Sequence, residues 1–201
     1  MKDWIGNKKS VFITLGASNH CEHEREMNDY YATDPLAIDA LFSVETFSLK
    51  IWECACGELH LSSRMKYLGK EVLSTDIIDR TNGLINEKVD FLNYNKLKSL
   101  HIGTDIITNP PYKFATEFVE KAIDLISDGH KVAMFLKIQF LEGQNRRKLF
   151  DKYPPKIVAV FSKRIKCAIN GDFENIGSSA SCYAWFIWEK GYKGETIIKW
   201  I

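Results

Sequence analysis

The chain has 201 residues, 45% of them apolar and 26% charged, with a formal net charge of +1. That is enough apolar material for one domain with a full core, and it excludes collagen-like, low-complexity and wholly disordered chains. The near-neutral charge selects no partner, the five cysteines form no regular framework and point to a reducing compartment, and no stretch approaches the ~20 apolar residues of a membrane span.

Residues 1–33 read as a polar arm, and MKDWIGNKKS at their start has no apolar run of signal-peptide length, so a cytoplasmic protein is expected. His20, Cys21 and His23 match no common metal spacing, and the Cys54–Cys56 pair has no second pair to complete a zinc site, so no metal is expected. Residues 34–201 read as a single domain. Asp34-Pro35 predicts a helix start, because Asp caps free N–H groups and Pro fits the first turn.

LKIWECACG predicts a strand running into a glycine turn, and ELHLSSRMKYLG a helix closed by Gly69. KEVLSTDI is a strand ending on Asp76, and TNGLINEKVDFL a turn and a weak strand ending near Asp90. TDIITN is the next strand, KFATEFVEKAIDLIS the next helix, and GHKVAMFLK a strong strand. GQNRRKLFDKY is a short basic helix stopped by Pro154-Pro155, and KIVAVF and YAWFIWEK are late strands separated by a polar loop, 162–182. Strands alternating with helices predict an α/β fold with a mainly parallel sheet covered on both faces. The last two strands lack a helix between them, so they are expected to pair antiparallel at one edge.

In open α/β sheets ligands bind beyond the carboxyl ends of the strands. Glu53 to Gly57, Asp76, Asp90-Phe91 and Asn109 to Tyr112 all fall at such ends. Gly57 opens a strand–glycine–helix turn whose N–H groups face a ligand, although Leu59 and Ser62 replace the later glycines of a full G-x-G-x-x-G. Asp76, at the end of the next strand, stands where an acidic side chain accepts hydrogen bonds from a ribose; the plain alternative is a solvated strand end or a turn cap. Asp90-Phe91 offers a carboxylate for an adenine amino group and a ring for its face, or else a capping Asp and a core Phe.

Asn109-Pro110-Pro111-Tyr112 joins a buried strand directly to a helix. Two fixed φ angles make the loop stiff and keep the Pro110 carbonyl out of the helix start. That carbonyl, the Asn109 side-chain oxygen and the flat Tyr112 ring suit an exocyclic amine on a planar group. Two hydrogen bonds would localise the nitrogen lone pair for attack on a methyl group carried by a sulfonium, chemistry that depends on positioning rather than on a strong base.

Asn109-Pro110-Pro111-Tyr112 resembles the [Asp/Asn]-Pro-Pro-[Tyr/Phe] signature of the amino-group DNA methyltransferases, and the similarity runs from about Tyr31 to Glu189 in a compact, phage-like form. The resemblance implies S-adenosylmethionine as cofactor, a Rossmann-like seven-stranded sheet with an antiparallel last strand, and methylation of adenine N6 in double-stranded DNA after the base is flipped out. It implies catalytic roles for Asn109, Pro110, Pro111 and Tyr112. It makes YATDP, with Tyr31 and Thr33, the segment at the methionine end of the cofactor. Glu53, Ala55 and Gly57 become the glycine loop, Asp76 the ribose ligand, and Asp90 and Phe91 the adenine contacts. Leu59 departs from the family's second glycine. No separate target-recognition domain is expected beside the catalytic one, so a protein partner for recognition is one expectation.

Between Lys131 and Lys166 the sequence carries ten basic residues and two acidic ones. Arg146, Arg147, Lys163, Arg164 and Lys166 are therefore candidate phosphate contacts, against the alternative of an ordinary solvated face. Phe173 is the resemblance's candidate for stacking on the flipped base, or a packing residue. Protein-glutamine and RNA-base methyltransferases share the same signature, and a catalytically silent nucleic-acid-binding relative is the reading from another class.

Overall fold

The computed structural model describes residues 31–95, 103–165, 167–169 and 181–201. Lys166 and Phe173 lie outside the described residues, as does the arm up to residue 30. The described elements are β1 (Tyr31–Thr33), α1 (Leu36–Val44), β2 (Lys50–Glu53), α2 (His60–Tyr67), β3 (Glu71–Asp76), β4 (Glu87–Lys88) and β5 (Thr104–Thr108). They continue with α3 (Ala115–Leu125), β6 (Lys131–Lys137), α4 (Gln144–Lys152), β7 (Ile157–Val160), β8 (Cys167–Ile169), β9 (Tyr183–Glu189) and β10 (Ile197–Trp200).

Eight strands form the main sheet in the order β10-β7-β9-β6-β5-β2-β3-β4. β6, β5, β2, β3 and β4 run parallel, β10 runs parallel to β7, and β9 is antiparallel to both of its neighbours. The sheet thus has one strand more than expected; the late strands β7 and β9 pair antiparallel, as expected, and β9 lies between β7 and β6. Six of its seven residues are buried, as a strand flanked and covered on every side requires. β10 takes the edge position. Tyr31–Thr33, counted with the polar arm in the sequence, form β1 and pair antiparallel with β8 as a separate two-stranded sheet.

Alternating side chains of the sheet feed two cores. Trp52, Ile106, Met134, Phe186 and Trp188 pack on one face with Phe118, Val119 and Ala122 of α3. Ile51, Ile107, Phe135, Trp185 and Ile187 pack on the other with Ile38 and Leu41 of α1 and Met65 of α2. Each buried indole finds an acceptor: Trp52 Nε1 donates to Thr75 Oγ1 (2.8 Å), Trp185 Nε1 to the Ala37 carbonyl (2.8 Å) and Trp188 Nε1 to the Tyr153 carbonyl (3.0 Å).

The helix boundaries follow the local chemistry. Asp34 Oδ1 accepts the Leu36 N–H at 2.9 Å and starts α1. α2 closes at Gly69, whose φ of 85° turns the chain while the Lys70 N–H donates back to the Met65 carbonyl. No helix among the described residues is long and apolar enough to cross a membrane.

Candidate active site at the carboxyl ends of the strands

Parallel register places the ends of β2, β3, β5 and β6 on one rim, so Glu53, Asp76, Thr108-Asn109 and Lys137 border a common region. The glycine loop after β2 is tied to β3 twice. The Cys56 N–H donates to the Thr75 carbonyl (3.0 Å), and the Gly57 N–H donates to Asp76 Oδ2 (2.8 Å). Asp76 Oδ1 accepts the Ile78 N–H at 3.0 Å and faces Arg80 Nη1 at 3.4 Å. The carboxylate is only 6% exposed, but Oδ2 keeps a second lone pair for a hydroxyl donor.

Leu59 adopts φ 68° and ψ 18°, the left-handed conformation that glycine takes at no steric cost. A residue with a side chain thus holds a backbone shape that glycine adopts more readily. A shallow cleft of about 310 Å³ opens beside this loop, lined in part by Pro35, Leu59, His60 and Arg64.

Two expected cofactor contacts face elsewhere. Glu53 is 2% exposed, and its Oε2 accepts a hydrogen bond from Ser62 Oγ, which also contacts Ser74 Oγ at 2.6 Å. Burial pushes the Glu53 carboxyl up to about 8. It sits beneath the glycine loop rather than lining its mouth. Phe91, also 2% exposed, is a core residue: its ring meets Trp52 edge-on (centroids 5.2 Å) and packs against Phe118 (4.9 Å). Its neighbour Asp90 caps the following turn, accepting the Leu92 and Asn93 N–H groups on Oδ1 and Asn93 Nδ2 on Oδ2. Ala55 is half-buried against the first core. Cys54 and Cys56 are buried, and burial raises both thiols, so they stand as packing groups. Among the described residues no group of three His, Cys, Asp or Glu could hold a metal ion.

Asn109 is held from behind by β1. Its Nδ2 donates to the Tyr31 carbonyl (3.0 Å) and to Thr33 Oγ1 (2.8 Å). A backbone carbonyl only accepts, so this contact fixes which end of the amide is nitrogen. Asn109 Oδ1 is buried and has no hydrogen-bond partner among the described residues. An orphaned buried acceptor costs about 1–3 kcal/mol, which makes it a place where a donor is wanted.

The diproline behaves as the sequence predicts. The helical turn after it closes on Pro111, whose carbonyl accepts the Phe114 N–H (2.9 Å), one residue beyond Pro110. The Tyr112 ring lies near-parallel to Tyr31 (6.4 Å, 18°) and tilted against Tyr183 (6.2 Å, 32°). Lys137 Nζ lies over that ring, 5.4 Å from its centroid. Tyr183 and Lys137 are partners in the β6–β9 register, a neighbourhood that no local motif announces.

The basic stripe does not form one patch. Lys131 and Lys156 sit at the opposite rim, where both pair with Glu45 (3.1 Å each) and Lys156 also with Glu189 (2.8 Å). Arg147 pairs with Asp151 on the exposed face of α4 (2.7 Å). Lys163 and Arg164 are exposed just past the carboxyl end of β7. Arg146 folds back on its own segment, Nη1 donating to the Gln139 carbonyl (2.7 Å) and the guanidinium lying over Phe140 (5.1 Å).

No family model and no curated protein matches the chain. Solved structures do. A Listeria monocytogenes protein described as a class I S-adenosylmethionine-dependent methyltransferase superposes with a TM-score of 0.59 at 13% identity, over 94% of this chain and 71% of that one. A Pyrococcus horikoshii protein described as an RNA methyltransferase gives 0.57 at 14% identity, over 93% and 99%. The type IIG restriction endonuclease BpuSI gives 0.53 at 14% identity, over 80% of this chain and 24% of its own. The interior antiparallel strand, the glycine loop after β2 and these superpositions together give the chain the fold of the class I S-adenosylmethionine-dependent methyltransferases.

Proposed function

We propose that the protein transfers a methyl group from S-adenosylmethionine to the exocyclic N6 of adenine in DNA. The observation that carries this reading is Asn109: its amide nitrogen is tethered to β1 while its oxygen is buried without a donor. In the proposed complex Asn109 Oδ1 and the Pro110 carbonyl accept the two N–H bonds of the target amine. This draws its lone pair out of conjugation, and Tyr112 supports the base by its face. The polar groups are preset, so little reorganisation accompanies the reaction.

The cofactor supplies an electrophilic methyl group on a sulfonium. The residues that would hold it are the loop at Gly57, where the missing side chain lets a ligand approach the backbone closely, and Asp76, through the acceptor capacity left on Oδ2. The fit rests on their juxtaposition, Gly57 N–H to Asp76 Oδ2 at 2.8 Å. The same oxygen pair on a stiff loop also suits the amine of an RNA base, and the superposition with a protein described as an RNA methyltransferase keeps that second reading in view.

The test is incubation with unmethylated DNA and S-adenosylmethionine, followed by mass spectrometry of the nucleosides. N6-methyladenine is expected. Methylation of RNA or of a glutamine peptide with none in DNA would replace the substrate, and calorimetry without detectable S-adenosylmethionine binding would leave the catalytically silent reading.

A further inference from the structure

We infer that Lys137 and Arg146 form a short cationic track for the phosphates beside the target nucleotide. Lys137 also holds the face of Tyr112 until a phosphate-bearing substrate takes its place. The inference rests on the methyl-transfer reading of the site and deepens it by assigning the residues that would select a nucleic-acid strand over a glutamine peptide.

Lys137 is the last residue of β6, one strand from the β5 end that carries Asn109, and it is exposed. Its ammonium covers the Tyr112 ring at 5.4 Å. At an exposed site an ammonium over a ring is held less strongly than a base stacked on the same ring, so a base displaces it. The displaced ammonium, exposed to solvent, is then free to meet a phosphate. A nucleotide brings both a flat ring for Tyr112 and phosphates for Lys137, whereas a glutamine side chain brings neither.

The segment after Lys137 continues the pattern. Arg146 is pinned against it through the Gln139 carbonyl and the Phe140 ring. Beside Arg146 lies a cleft of about 520 Å³ lined by Thr116, Gly143, Gln144 and Arg146, with no acidic side chain among them. Thr116 belongs to the helix that follows Tyr112, so the cleft lies between that helix and the segment leaving Lys137. Gly143, with φ 116°, adopts a backbone conformation that side-chain-bearing residues rarely take and forms the wall beside the guanidinium, 3.8 Å from where a Cβ would stand.

The experiment is binding of a fluorescent duplex oligonucleotide across a potassium chloride series, with methyl transfer measured in parallel. Lys137→Gln and Arg146→Gln should each lower the slope of log affinity against log salt by about 1, and the double variant by about 2. Lys137→Arg should keep the wild-type slope. A purely structural role would weaken binding without changing the slope, and unchanged slopes in both glutamine variants would overturn the track. Asn109→Ala separates the two readings. It should retain the wild-type slope and lose transfer; if it keeps full transfer, the methyl-transfer reading falls while the salt slopes still decide the track. Methylation of a glutamine peptide with no binding to DNA or RNA would overturn the track as well.

Discussion

Asn109 Nδ2 donates to the main-chain carbonyl of Tyr31 at 3.0 Å, joining two residues 78 positions apart in the chain. This single contact decides which way the amide faces. Asn109→Ala should lower methyl transfer about 100-fold or more, because it removes a preset polar contact, while the loss of its two hydrogen bonds to β1 lowers the melting temperature by only a few degrees. Asn109→Asp should be almost as damaging, because a carboxylate placed against the Tyr31 carbonyl has no donor to offer it. Radiolabelled methyl transfer beside a thermal melt checks both.

Thr33 is the second anchor, accepting from the same nitrogen at 2.8 Å. Thr33→Val keeps the shape and removes the acceptor. The loss of one hydrogen bond of about 1 kcal/mol predicts a fall in kcat of roughly fivefold, with much less change in the KM for S-adenosylmethionine. Steady-state kinetics against both substrates would show it, and an unchanged kcat would remove Thr33 from the positioning of Asn109.

The Glu53 carboxyl, raised to about 8 from an ordinary 4.5, makes a pH prediction. The native state holds this proton where the unfolded chain has released it, so its contribution to stability declines as pH rises from about 4.5 to about 8 and levels off above that. Glu53→Gln removes the titration. Urea unfolding at pH 5 and pH 8 should show a wild-type loss larger than that of Glu53→Gln by an amount on the order of 3 kcal/mol. Parallel pH profiles for the two proteins would contradict this.

Leu59 at φ 68° carries a backbone cost that depends on side-chain branching. Leu59→Gly should be at least as stable as the parent despite losing a half-buried side chain. Leu59→Ile, with the same number of carbon atoms, should lose about 1–2 kcal/mol. Denaturant titration separates them, and equal stability of the leucine and isoleucine forms would argue against strain.

Phe91 provides a check on packing against binding. Phe91→Ala should cost about 3–5 kcal/mol of stability through the cavity left between Trp52 and Phe118. Phe91→Leu, which retains most of the volume, should bind S-adenosylmethionine within a few-fold of wild type, as calorimetry would report. A large loss of affinity in a stably folded Phe91→Leu protein would return the ring to the cofactor.

Local patterns proved readable where local physics decides. The cap at Asp34, the stop at Gly69, the buried run of β5 and the apolar stripe of α3 were all visible in the sequence. Asn109 to Tyr112 and the Gly57–Asp76 pair were visible too, because their spacing reflects a strand followed by a turn. What stayed hidden depends on long-range register. YAWFIWEK reads the same as an edge or an interior strand, and only its pairing with both β6 and β7 decides between them. β1 consists of three residues whose partner lies in the far half of the chain, so neither the strand nor its hold on Asn109 had a local signal. The stripe of lysines gave a charge count but not a direction, and Glu45 and Glu189 claim part of it at the far rim. Asp90 and Phe91 followed the plainer of their two readings, since the capping and core roles need nothing beyond neighbouring residues.

The place of β9 between β6 and β7 has a consequence for biosynthesis. Both flanking strands leave the ribosome before it, and neither pairs with the other. Until residues 183–189 emerge, each presents an open row of unpaired N–H and C=O groups on an apolar strand, the kind of edge that recruits other chains. The middle of the sheet closes only when β9 arrives, with β10 added after it, and the nascent protein is most in need of a holding chaperone during that interval.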